Sequence, residues 1–194
     1  MNLGLAMLAY IFWHVPLPRI SPNDYEAALL AFQRDLATMP SQGLASCATY
    51  QISGVPWLDG GSGYEDWYFI DSSAALDALN EAAVAPLRRD VHAAIASKMD
   101  FGHGGLYRHV FGEEQPLGGR VVWLTRPRGI DYEPVLRGIA DGSAGFLSCW
   151  RRQMVLGPAD EFAVIGTPSF AFAIPQGWRG RMVERRILAP PRIS

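Results

Sequence analysis

A chain of 194 residues, 49% of them hydrophobic, is long enough for one compact body or for two small halves that share a core. A net charge of −2 excludes a generally electropositive surface of the kind that grips phosphates, so no nucleic-acid partner is expected. Two cysteines exclude a disulfide framework and fit a reducing, cytoplasmic setting.

The opening MNLGLAMLAYIFWHVP is apolar, but it lacks a basic leader and a small-residue cleavage site. It is also too short to span a bilayer before His14 and Pro16. Its β-branched and aromatic centre predicts a buried strand containing Trp13, and no other stretch predicts a membrane crossing. A helix follows: Ser21 is a cap, Pro22 suits the first position, and Asp24 favours the positive end. Tyr25, Ala28, Leu29, Phe32 and Leu36 then share one helical face. GLASCATYQ predicts the second strand and GYEDWYFI the third. DSSAALDALNEAA predicts a helix, Pro86 breaks it, LRRDVHAAIASKM continues it, and GLYRHVFG closes the unit as a strand. GEEQPLGG is the linker.

The order then starts again. RVVWLT with Trp123 predicts a strand, and IDYEPVLRGI predicts a helix with Tyr132, Val135, Leu136 and Ile139 on one face. GFLSCWRRQ echoes GLASCATYQ, with Gly, Ser, Cys and Gln at the same offsets and Cys47 matched to Cys149. ADEFAVI echoes GYEDWYFI, pairing Trp67 with Phe162 and Ile70 with Ile165. TPSFAFAIPQGW replaces the long helix, and RMVERRIL is the last strand. The arginines near the end (Arg179, Arg181, Arg185, Arg186 and Arg192) read as a solvated strand and tail. Both halves start β-α-β-β, and the pattern is the β-α-β-β-α-β order of the ferredoxin-like unit, from which the second half departs in its reduced last helix. The expected fold class is α+β: two tandem ferredoxin-like halves, residues 1–112 and 120–194, joined by the linker 113–119. Their antiparallel sheets pack face to face as an intramolecular α/β barrel, because helices cover only one face of each sheet.

This duplicated architecture, with the run YEDWYFIDSSAALDALNEAAV, resembles the dimeric α/β-barrel superfamily in a tandem, single-chain form. That superfamily includes cofactor-free monooxygenases, small isomerases and decarboxylases, haem proteins such as chlorite dismutases, and ligand-binding regulatory domains. The resemblance implies the fold and a cavity between the sheets. It carries no catalytic signature onto particular residues here.

The histidines His14, His92, His103 and His109 show no metal-ligand spacing, so no metal site is expected. His92 could reach a haem iron, although a solvated or capping histidine is the favoured reading. Cys47 and Cys149 lie mid-strand without an adjacent base and read as buried core. The glycines of GSG and GHGG lack the strand-to-helix setting of a phosphate loop. The stronger signal is polarity inside strands. Period-two alternation groups Thr49 and Gln51 on one face of the second strand, and Arg151 and Gln153 on the matching face of its echo. The opposite faces, with Tyr50 and Trp150, are more apolar and suit helix packing. Thr49, Gln51, Arg151 and Gln153 are thus expected to point between the sheets, with Trp13, Trp67, Tyr68 and Trp123 as aromatic walls. They would form either a polar network or a small cavity. The functional expectation is a protein that binds or transforms a small organic molecule there, monooxygenase-like and without a tightly bound cofactor. The alternative is a non-catalytic ligand-binding or oligomerisation module. The partners left open are a small-molecule ligand and a second copy of the chain.

Overall fold

The computed structural model describes residues 7–190, so the first six residues of the opening strand reading and Arg192 lie outside it. The strands are β1 (Leu8–Pro16), β2 (Leu44–Ser53), β3 (Ser62–Ile70), β4 (Met99–Gly112), β5 (Arg120–Thr125), β6 (Phe146–Arg152), β7 (Phe162–Gly166), β8 (Arg179–Glu184) and β9 (Arg186–Ala189). The helices are α1 (Pro22–Thr38), α2 (Ala75–Ala83), α3 (Arg89–Ala96) and α4 (Glu133–Gly142). No helix among the described residues is long and apolar enough to cross a membrane.

The local signals act as physics requires. The Ser21 hydroxyl accepts from the Asp24 amide at 3.1 Å and so caps α1. Tyr25, Leu29, Phe32 and Leu36 form its buried stripe. Pro86 separates α2 from α3, and the buried Arg88 that follows ties the break to α1. Its Nε donates to Asp35 at 2.6 Å and its Nη1 to the Ala82 carbonyl at 2.8 Å.

All strand pairs are antiparallel, in the order β8-β5-β7-β6-β4-β1-β3-β2-β9. The two strand sets are not separate sheets laid face to face, because β4 pairs with β6 and makes them one. The sheet curls until its edges meet: β8 pairs with β5, β9 pairs with β2, and only Arg185 separates them in the chain. The inside of the curl is filled by Trp13, Trp57, Trp67, Trp123 and Trp150 with Tyr50, Tyr107 and Phe69. Helices α1–α3 cover the outer face of β1–β3. Over β5–β7 the outer layer is α4 with Phe170 and Trp178 from the irregular segment before β8.

The facing of the second strand is the reverse of the sequence expectation. Tyr50 and Trp150 point into the curl, while Thr49 and Cys149 face outward. Alternation tells which residues share a face, but both faces are buried here, so volume decided: the larger rings went to the tryptophan-lined interior. Trp67 and Phe162, paired in the repeat, lie on opposite faces, as do Ile70 and Ile165. The echo between the third strands is thus out of step by one residue, which reverses every side chain.

The last strand expected over RMVERRIL is two strands, β8 and β9, broken at Arg185, and this arginine-rich region is only partly solvated. Arg185 turns inward, and its side chain and that of Glu65 are 0% exposed. Its Nη1 lies 3.2 Å from Glu65 Oε1, and its Nε and Nη2 donate to the Gly118 carbonyl at 3.1 and 2.8 Å. Glu65 also accepts from the Trp13 indole at 2.8 Å and the Trp67 indole at 2.7 Å. The Arg185 guanidinium lies over the Tyr50 ring, 4.0 Å from its centroid. Gly118 must be glycine, since a Cβ there would sit 2.3 Å from Ile165 Cγ2 and 2.8 Å from the Gly166 carbonyl.

Two outcomes follow from this packing. Replacing Arg185 with Met strands a buried carboxylate, and urea unfolding should show a loss of about 3–5 kcal/mol. Adding Glu65→Gln should recover part of it, because the amide oxygen still accepts an indole N–H; no recovery would mean that the guanidinium's packing, and not charge pairing, dominates. Cys47 and Cys149 are buried and form no disulfide, and burial raises the Cys149 thiol pKa against a smaller opposing effect of Arg137. Neither should react with a thiol reagent until denaturant is added.

Candidate active site

A cavity of about 540 Å³ lies between α1–α3 and the outer face of β1 and β3. The even-numbered residues of these strands face it: Tyr10, Phe12 and His14 from β1, Asp66 and Tyr68 from β3. The glycines of GHGG make this possible. A Cβ at Gly102 would sit 2.5 Å from Phe12 Cζ, and one at Gly104 would sit 2.6 Å from the Tyr10 oxygen. With hydrogen there instead, both rings lie across β4 and wall the cavity on one side.

Its floor carries the only buried histidine–carboxylate pair among the described residues. His14 Nε2 lies 3.1 Å from Asp66 Oδ2, with both side chains 2% exposed. The Tyr25 hydroxyl lies 2.6 Å from His14 Nδ1. One assignment satisfies all three groups: Nε2–H donates to Asp66, and Nδ1 accepts from Tyr25. Asp66 is held further by Thr49, which donates to Oδ1 at 2.7 Å, and by the Tyr68 hydroxyl at 3.4 Å. The imidazole stacks between Phe12, at 5.1 Å, and Tyr64, at 5.7 Å between centroids.

Burial raises the hydroxyl pKa of Tyr25, Tyr68 and Tyr10, and the neighbouring Asp66 charge adds to it. Tyr64 is pushed up to about 12, by burial first and then by Glu26. All four hydroxyls are therefore protonated at neutral pH. A chain of proton-bearing groups, Tyr25 to His14 to Asp66, ends against an apolar chamber. It can accept a proton from a bound molecule and hold the resulting imidazolium against a carboxylate.

The residues singled out from sequence are dispersed by the fold. Tyr68 lines this cavity, and Thr49 stands behind Asp66 as its hydrogen-bond donor. Gln51 sits further along the same outer face, accepting from Arg186 at 2.7 Å. Trp13, Trp67 and Trp123 pack inside the curl. Arg151 and Gln153 line a separate groove on the outer face of β4 and β6. The interior expected to hold the cavity is filled with aromatic rings. His92 stands at the rim of the cavity, edge-on to Phe32 at 5.9 Å. His14, Asp66 and Tyr25 did not emerge from the sequence as a site. The usable signal was the rule applied to the second strand: a polar residue inside an apolar strand, here His in YIFWHV and Asp in GYEDWYFI.

No family model matches the chain, and the search of curated proteins gives no match. Solved structures do resemble it. A candidate monooxygenase from Fusobacterium nucleatum superposes with TM-score 0.63 at 8% identity, covering 100% of this chain and 96% of that one. A candidate monooxygenase from Lactobacillus acidophilus gives 0.55 at 10% identity, covering 97% and 99%. An anthrone oxidase-like protein gives 0.51 at 9% identity, covering 94% of each chain. At these identities the likeness is one of fold.

The tyrosines predict the alkaline behaviour. The pKa of Tyr10, Tyr25, Tyr50, Tyr64, Tyr68 and Tyr107 is raised in the folded protein, so below about pH 10 both states keep these protons. Above that the unfolded chain ionises first, and stability falls as pH rises toward 12 and beyond. Phenolate absorbance near 295 nm should rise together with loss of near-ultraviolet circular dichroism. A large absorbance rise near pH 10 in the still-folded protein would contradict this.

Proposed function

We propose that the chain binds a flat, weakly acidic organic molecule in the α1–α3 cavity and oxidises it without a tightly bound cofactor, as a monooxygenase-like enzyme. The observation that carries this reading is the Tyr25–His14–Asp66 chain at the floor of an apolar chamber. The structural neighbours support it, and the anthrone oxidase-like one suggests an activated aromatic ketone as the substrate class. The reading includes the finer architecture: two tandem ferredoxin-like halves, one ending near residue 112 and the other starting near 120. The strand order supports it, since β4-β1-β3-β2 and β8-β5-β7-β6 repeat one sequence of positions.

The chemistry needs few protein groups. Tyr25 takes a proton from an activated C–H of the substrate while passing its own to His14 Nδ1, and Asp66 stabilises the imidazolium. The carbanion gives its electron pair to dioxygen, forming a carbon–oxygen bond and a peroxide. Return of the proton gives the hydroperoxide, and loss of water leaves a ketone. Substrate and dioxygen thus become ketone and water with no outside reductant. The apolar walls keep water from protonating the carbanion.

The test is oxygen uptake with anthrone, measured over its spontaneous oxidation, alongside equilibrium binding. Tyr25→Phe and Asp66→Asn should each lower kcat by about 10²–10⁴-fold, with KM changed only a few-fold. Saturable binding without turnover by the unaltered protein would replace the enzyme with a ligand-binding module. Absence of binding would remove the cavity reading.

A further inference from the structure

The outer face of β4 and β6 holds a second groove, of about 560 Å³, remote in character from the first. Its walls are Arg108, Val110, Tyr132, Arg151, Gln153 and Met154. Arg108 and Arg151 are direct cross-strand partners in the β4–β6 ladder. Like charges at such positions repel, and sheets avoid them unless something lies between. The local carboxylates do not cancel the charge. Glu161 is shared, 3.3 Å from Arg151 and 3.2 Å from Arg126, and Glu133 is taken by Arg137. Arg108 has no carboxylate within ion-pair distance among the described residues. With the amide oxygen of Gln153 turned toward it, its Nε and Nη2 each donate at 3.0 Å.

The donors are also underused. Arg151 Nε is buried and, despite the ion contact, is not aligned for a hydrogen bond with Glu161. Among the described residues only its Nη1 has an aligned acceptor, the Tyr132 hydroxyl at 3.2 Å. The Tyr132 ring holds the guanidinium in place, 4.7 Å from centroid to Cζ. His109, the residue after Arg108 on β4, turns its ring to the other face, edge-on against Trp150 at 5.1 Å, so the groove is left to the two arginines.

We propose that this groove is a second ligand site, one that takes the carboxylate of a small organic acid between Arg108 and Arg151. Planar guanidinium forks match a carboxylate in two-point contact, and Val110, Met154 and Val155 receive the apolar body. The proposal does not rest on the α1–α3 cavity or on its chemistry.

Calorimetric titration at constant ionic strength tests it, with benzoate and inorganic phosphate as separate probes. Benzoate should bind saturably, and Arg151→Leu and Arg108→Gln should each weaken it at least about tenfold. Phosphate binding more tightly with the same dependence on both arginines would still support an anion site, with a phosphorylated ligand in place of a carboxylate. No saturable binding of either probe overturns the proposal. So does benzoate binding that both variants leave intact, since the acid then sits elsewhere, as in the first cavity. Arg108 is exposed, so its variant should fold even if the Arg151 variant does not. Without ligand, Arg108→Gln should raise the thermal midpoint by relieving the cross-strand repulsion. A lowered midpoint would mean that the arginine serves the sheet, and would overturn the proposal.

Discussion

The Glu65–Arg185 pair holds the curled sheet shut. Arg185 is the single residue between β8 and β9, and these strands pair with opposite ends of the sheet. Its guanidinium reaches Glu65 on β3 and the Gly118 carbonyl in the segment joining the two strand sets. One side chain therefore ties the end of the chain to its middle and to its first half. Burying two ions costs several kcal/mol each unless every lone pair and proton is matched. Here Glu65 has two indole donors besides the guanidinium, and Arg185 has a carbonyl and the face of Tyr50. The pair thus specifies where the sheet closes, and a shifted register would leave it unmatched.

The same constraint explains why the interior is not a cavity. Glu65 needs Trp13 and Trp67 nearby, and those rings bring Trp57, Trp123 and Trp150 into edge-to-face contact around them. Among the described residues, the indole N–H groups of Trp57, Trp123 and Trp150 have no oxygen partner. Edge-to-face packing sets ring edges against π faces, which softens that cost. With the inside full, room for a ligand is left on the outside, where helices bridge the sheet. On β1 and β3 the residue one step from each interior partner faces that room, so Glu65 inside and Asp66 outside are consecutive. One acid closes the fold, and its neighbour anchors a histidine beneath the cavity.

The two outer faces then diverge. Under α1, Tyr25 meets an imidazole backed by a carboxylate. Under the start of α4, Tyr132 meets two guanidinium groups. The first arrangement suits proton transfer in an apolar chamber, the second suits recognition of negative charge. Both sites use an Asp-Tyr-Glu helix start, which sets the tyrosine at the helix entrance against the strand face.

Much of the fold was legible in the sequence because it rests on local rules. The cap at Ser21, the stripe on α1, the break at Pro86 and the order of strands follow from hydrogen-bonding and periodicity that act over a few residues. The site was less legible, because it depends on which of two buried faces points outward. Alternation grouped Thr49 with Gln51 and Arg151 with Gln153, yet it could not say that Tyr50 and Trp150 belong inside. That choice came from the volume of the tryptophan cluster and from the buried acid that needs two indoles, neither of which is a neighbour relation in sequence. Likewise Arg185, one arginine among several near the end, differs from the others only in what the closed sheet places beside it. The sequence by itself determined most of the elements, their order along the chain and which residues share a face within a strand, although RMVERRIL, read as one strand, is β8 and β9 divided at Arg185. Only the tertiary structure decided which face is interior, where the cavity lies and which charges are buried, because those follow from contacts made across the whole curl of the sheet.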